Sequence, residues 1–232
     1  MKQFTIQYCF TMEDHSQEIF NLDIDAKSIT LKTRHSKKLP SWTSLGFHQC
    51  PNCPLSKDTH SHCPVAVNIL EIIIRFDRLM SFDKMRVEVV TKERSIVQET
   101  SAQEGLSSLM GLLIATSECP LTDFFKPMAR FHLPFANKEE TIWRATSTYL
   151  LAGYFQNTAE RNKDLKLKGL AKIYDDIELL NNAIIKRLRY ASQKDSAVNA
   201  LVHLDVFAKY LTPPIEDSLQ HIRQIFTPFV GF

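Results

Sequence analysis

The chain has few of the features that would announce a function. No run of apolar residues is long enough to cross a bilayer: the longest, VNILEIII, is short and broken by Asn68 and Glu71. Neither sign of charge dominates. Lys and Arg number 28 against 26 Asp and Glu, and the formal net charge of +2 calls for neither nucleic acid nor an anionic membrane. Six glycines are too few for a large phosphate-cradling enzyme, and no G-x-S-x-G, P-loop, G-x-G-x-x-G or H-E-x-x-H motif occurs. The opening, MKQFTIQYCFTMEDHSQE, has no apolar core and meets charge early. It predicts no signal peptide and a cytoplasmic protein, whose thiols stay reduced. There is no internal repeat and no low-complexity tract.

What is present is patterned as α+β. FTIQYCF puts Phe4, Ile6, Tyr8 and Phe10 on one face; IFNLDID and SITLKT alternate in the same way. MRVEVVTKER and SIVQET read as a second hairpin, giving a small antiparallel sheet of about five strands. VAVNILEIIIRFDRLM carries a helical stripe at 65, 69, 72, 73, 76 and 79. Helix dominates from residue 101. Ser101 with Glu104, and less perfectly Asn137 with Glu140, are capping-box signatures. Leu170, Ile173, Ile177, Leu180, Ile184 and Leu188 predict one long amphipathic helix; Val198, Leu201, Leu204 and Leu211 predict the next. Joined by SQKDS, these two read as a long antiparallel αα-hairpin, and a short helix follows in IEDSLQHIRQIF. The parts divide as 1–100, α+β with a Cys-rich loop at 47–64, and 101–232, helical, the two integrated through a metal site.

That site is read from FHQCPNCPLSKDTHSHCPVA. Of the five cysteines, Cys50, Cys53, Cys63 and Cys119 are each followed by proline, although proline is only 10 of 232 residues; Cys9 is not. Proline suits the first position of a helix, so Cys63 and Cys119 are expected at helix N-caps, where the dipole favours a thiolate. Cys50 and Cys53 form a C-x2-C clip. One tetrahedral Zn2+ on Cys50, Cys53, Cys63 and Cys119 is the simplest site, closed and therefore structural. A [4Fe-4S] cluster fits the same four thiolates, although the spacing matches no ferredoxin run closely. The bland alternative is reduced cysteines that only cap helices. His48, His60 and His62 flank the clip as possible substitute ligands.

In FFKPMARFHLPF, Lys126, Arg130 and His132 could line an anion or small-ligand pocket, or simply flank packed phenylalanines. YDDIE and the basic KRLRY stretch, with Lys186, Arg187 and Arg189, read as solvated faces that pair with a neighbouring helix or subunit. The blocks HQCPNCPL…HCPVA, ATSECP…FFKPMARFHLPF and LNNAIIKRLR resemble the shared blocks of an uncharacterised bacterial protein family, from about residue 40 onward. The resemblance implies a bacterial cytoplasmic protein and brings no activity with it.

Two functions are expected. One is a non-catalytic interaction or regulatory module, knotted by structural zinc and meeting a protein partner or a second copy through its helical hairpin. The other is an iron–sulfur or thiol-based redox protein using the same cysteines. A zinc hydrolase lacks a placed general base.

Overall fold

The computed structural model describes residues 2–32, 38–156, 166–211 and 215–230. β1 (Gln3–Met12) and β2 (Gln17–Asp25) pair antiparallel, with Tyr8 opposite Phe20. β3 (Lys84–Val90) lies on the other side of β1, and β4 (Ser95–Ser101) on β3, giving the order β2-β1-β3-β4. The period-two pattern holds: Ile6, Tyr8, Phe10, Phe20, Leu22, Ile24, Val87 and Val89 are all buried on one face.

The sheet has four strands, not about five. SITLKT does not complete a third N-terminal strand, and its last residue, Thr33, lies outside the described residues. Ile29 takes a positive φ of 52°, which breaks the extended run. Leu31 makes a lone bridge to Ile24 and gives its N–H to Thr116 O, at the end of the helix that covers the sheet. A backbone donor spent on a helix terminus cannot extend a ladder.

The Cys-rich stretch leads into α1 (Pro64–Asn68) and α2 (Leu70–Phe76), which share the predicted stripe; Val65, Ile69, Ile72, Ile73 and Phe76 are buried. α3 (Ala102–Ala115) is buried nearly all round because it lies between the sheet and a later helix. Glycine makes both approaches close. A Cβ on Gly105 would stand 3.0 Å from Val87 Cγ2 and 3.1 Å from Met85 Sδ, and one on Gly111 would stand 3.4 Å from Leu204 Cδ1. A 3-10 turn (Pro120–Phe125) and α4 (Lys126–Arg130) follow. Then come α5 (Lys138–Gln156), α6 (Lys168–Ala191), α7 (Ser196–Lys209) and α8 (Ile215–Arg223).

The two capping signatures exchange rank. Asn137 and Glu140 form the full reciprocal box, Glu140 N–H to Asn137 Oδ1 at 3.0 Å and Asn137 N–H to Glu140 Oε2 at 2.8 Å. At Ser101 the box is half made. Glu104 takes the Ser101 N–H and the Thr100 hydroxyl, while the Ser101 side chain makes no cap bond.

α6 and α7 pack together, Asn181 Nδ2 donating to Asp205 Oδ1 at 2.9 Å. α7 also packs along α3, so the helix pair is a layer of the core and not a free-standing hairpin. Its connection is pinned to the segment after α2: Asp77 accepts from Ser192 and Gln193, and Asp195 accepts from Ser81. The larger core draws on residues from both sides of position 100; a smaller one lies among α5, α6, α7 and α8, around Ile142, Leu170 and Leu211.

Gly105→Val should lower the unfolding free energy by about 1–3 kcal/mol, since Val87 is buried in the sheet and has nowhere to move. A urea midpoint equal to that of the parent protein would mean that α3 does not sit this close to β3.

Candidate metal centre

Three segments bring the Cys-Pro cysteines into one region. Cys50 and Cys53 flank a tight turn closed by Cys53 N–H to Cys50 O at 3.1 Å. Cys63 is the N-cap residue of α1, with Pro64 in its first turn. Cys119 holds the same position before the 3-10 turn, ahead of Pro120. Cys50, Cys63 and Cys119 are buried, and Cys53 packs against the same core. Cys9 stands apart, on the outward face of β1.

The thiols are close enough to act on one another. Burial, with the neighbouring Cys63 and Cys53, pushes the Cys50 thiol up to about 11. Burial pushes Cys119 up to about 12, with Cys63, Cys50 and Cys53 adding to the rise; only the Leu121 N–H, just past the proline, favours its thiolate. The sulfurs are nevertheless not gathered about one centre. Among the described residues, no group of three or more His, Cys, Asp or Glu side chains stands arranged to hold a metal ion.

Arg187 lies beside them and was not legible as part of this site. KRLRY reads as a basic surface cluster, yet Arg187 is 1% exposed. Its guanidinium donates to Trp42 O at 2.7 Å, Ser44 O at 2.8 Å and Leu45 O at 3.0 Å. Burial lowers its pKa; the groups that favour its charge are Cys63, Cys50 and Cys53, with no carboxylate among them. One signal was available: Arg187 falls three residues after Ile184 and seven after Leu180, on the apolar stripe of α6. Two buried side-chain atoms in this region have no hydrogen-bond partner, Arg187 Nε and Asn52 Oδ1 of the C-x2-C turn. Asn52 Nδ2 is satisfied by Asp176 of α6, at 3.1 Å from both O and Oδ1.

The flanking histidines stay out of the cluster. His48 is exposed, with φ 45° and its ring edge-on to Phe47. His60 is exposed and bonded to Thr59. His62 shares a 2.8 Å hydrogen bond with Thr43.

Residues 6–227 match the family described as Domain of unknown function (DUF6901). The chain belongs to this family. No curated protein and no solved structure matches it. The DUF6901 match begins at Ile6, so it takes in the N-terminal strands as well as the later blocks.

The second predicted cluster of this DUF6901 domain comes apart. Lys126 pairs with Asp123 at 2.6 Å, and Arg130 lies over the rings of Phe4 and Phe131. His132 turns inward to a different partner: its Nε2 lies 2.5 Å from Tyr8 Oη, which is itself 2.9 Å from Ser108 Oγ. Burial pulls the His132 pKa down to about 3, with Arg144 helping, and raises that of Tyr8 above the usual tyrosine range. The ring is therefore neutral, and the tautomer decides whether Tyr8 Oη or Nε2 donates in this bond.

A histidine held neutral in the fold but protonated when unfolded makes stability rise with pH. Its contribution is complete above the ordinary value of 6.5 and is lost as pH falls toward about 3. Between pH 6.5 and 4.5, His132→Gln should reduce the slope of unfolding free energy against pH by up to about 1.4 kcal/mol per unit. Equal slopes for parent and variant in urea titrations would show that the ring is not shielded.

Proposed function

We propose that this protein is a non-catalytic, metal-stabilised module of the cytoplasm. In this reading Cys50, Cys53, Cys63 and Cys119 bind one structural Zn2+. The observation that carries it is the buried charge of Arg187, set among thiols and supplied with no carboxylate. Neutral thiols cannot balance a guanidinium, and burial that raises Cys50 to about 11 and Cys119 to about 12 keeps those two neutral at physiological pH. A metal ion changes this. Zinc deprotonates its thiols, and four thiolates around it carry a net double negative charge, for which Arg187 is the counterion. The sulfurs must turn inward to close such a site. The closed set leaves no open position for a substrate, so the role is to lock the 41–64 loop onto α6. An interaction role is supported by apolar side chains exposed on the α6–α7 layer, Leu179, Val202 and Val206, which would face a protein partner or a second copy.

The same thiolates would accept a [4Fe-4S] cluster, so metal analysis of protein purified without oxygen separates the two. Colourless protein with about one zinc per chain supports the structural site. Brown protein with iron and acid-labile sulfide would make this a redox protein instead. Because raised thiols must lose protons to bind, zinc affinity should climb with pH between 6 and 8, with proton release measurable in weakly buffered titrations. Arg187→Gln should weaken zinc binding by about 10–100-fold in competition with a chromogenic chelator. Protein that folds normally and binds neither metal would return the four cysteines to helix capping.

A further inference from the structure

A cavity of about 390 Å3 opens between α3, the α4–α5 connection, α5, α6 and α7. Its walls are largely apolar, with Leu112, Phe125, Met128, Ile177, Leu204 and Phe207 contributing. Both its size and its lining are those of a small-molecule site. Into this space come three polar groups that the fold leaves incompletely used.

The first is Arg144 of α5. Among the described residues it is the one lysine or arginine lining the cavity. It donates to Leu133 O and Met128 O, both at a long 3.3 Å, and takes part in no ion pair among the described residues. The nearest acid acting on it, Glu140, is committed to the cap of α5. The second is Tyr174 of α6, which is 5% exposed and edge-on to Phe124 and Phe125. Its hydroxyl has no hydrogen-bond partner among the described residues, although a buried phenol ordinarily finds one. The third is His132, a neutral ring whose Nε2 is taken by Tyr8, which leaves Nδ1 for another partner. Arg144 is close enough to act on the ionisation of both Tyr174 and His132.

We propose that this cavity binds a small organic monocarboxylate, its carboxylate on the Arg144 guanidinium with the Tyr174 hydroxyl as a further donor, and its apolar body against Met128, Leu204 and Phe207. A buried cation flanked by neutral donors asks for a single negative charge. A phosphate dianion is the poorer fit, because one guanidinium would face two charges and Glu104 stands on the same lining. The remaining ionisable groups nearby already have partners: His203 with Ser107, and Asp205 with Asn181 and Lys209. This site shares no residue with the cysteine cluster and does not depend on the metal.

The test is calorimetric titration of the full chain with sodium 3-phenylpropionate and sodium octanoate, each against its uncharged amide, and with inorganic phosphate. The acids should bind at least about tenfold more tightly than their amides, the worth of one charge-assisted contact. Arg144→Gln should abolish that preference, and Tyr174→Phe, which keeps the ring, should weaken acid binding several-fold with metal content unchanged. If Arg144→Gln does not fold, Tyr174→Phe carries the test alone. Acids that bind no better than amides, acid binding untouched by Tyr174→Phe, phosphate binding tighter than either acid, or no binding at millimolar acid would each overturn the proposal.

Discussion

A guanidinium removed from water at Arg187 fixes the path of the Cys-rich loop. Taking such a charge into the interior costs several kcal/mol, and three charge-assisted bonds, each worth about 1.5–3 kcal/mol, offset it. The acceptors are the carbonyls of Trp42, Ser44 and Leu45, in and just after a 3-10 turn where backbone oxygens would otherwise lack partners. Those residues are then available to hold the other limb of the loop. Cys63 N–H goes to Thr43 O at 2.8 Å and Leu45 N–H to Ser61 O at 2.9 Å. A stretch with almost no regular structure thus acquires a defined course and delivers Cys63 to the start of α1.

Much of this architecture was legible in the sequence, wherever a pattern reports local geometry directly. The strands at Phe4–Phe10 and Phe20–Ile24, the stripe from Val65 to Phe76 and the long helix through Leu188 follow from side-chain period. The N-cap positions of Cys63 and Cys119 follow from the prolines after them. What failed depended on partners distant in sequence. SITLKT alternates well enough for a strand, but Thr116 takes the N–H of Leu31. The capping boxes came out differently: the one at Asn137 forms in full, while the buried Ser101 Oγ finds no partner among the described residues.

The arginines show the same limit more sharply. Arg130 and Arg144 are equivalent on paper, each a cation in an aromatic-rich stretch of sequence. Arg130 spends its charge on the faces of Phe4 and Phe131, while Arg144 faces a cavity; no spacing rule separates the two. Arg187 did carry a signal, a charge on an apolar stripe, but a basic run such as KRLRY ordinarily marks a solvated face. Periodicity says which side of a helix is inside. It does not say that a polar group there has been given a partner.

α6 connects the two sites chemically as well as in space. Arg187 lies near its C-terminal end and Tyr174 near its start, about 20 Å apart along the axis at 1.5 Å per residue. The C-x2-C turn touches this helix at its far end too, through Asn52 and Asp176, only two residues beyond Tyr174. The loop therefore touches α6 at Arg187 and again at Asp176. The demands of the two ends differ in kind. At Arg187 the proposed zinc thiolates would supply a soft, polarisable anion. At Arg144 the proposed carboxylate would meet neutral donors and an apolar wall, Glu104 being the one acid on the lining among the described residues.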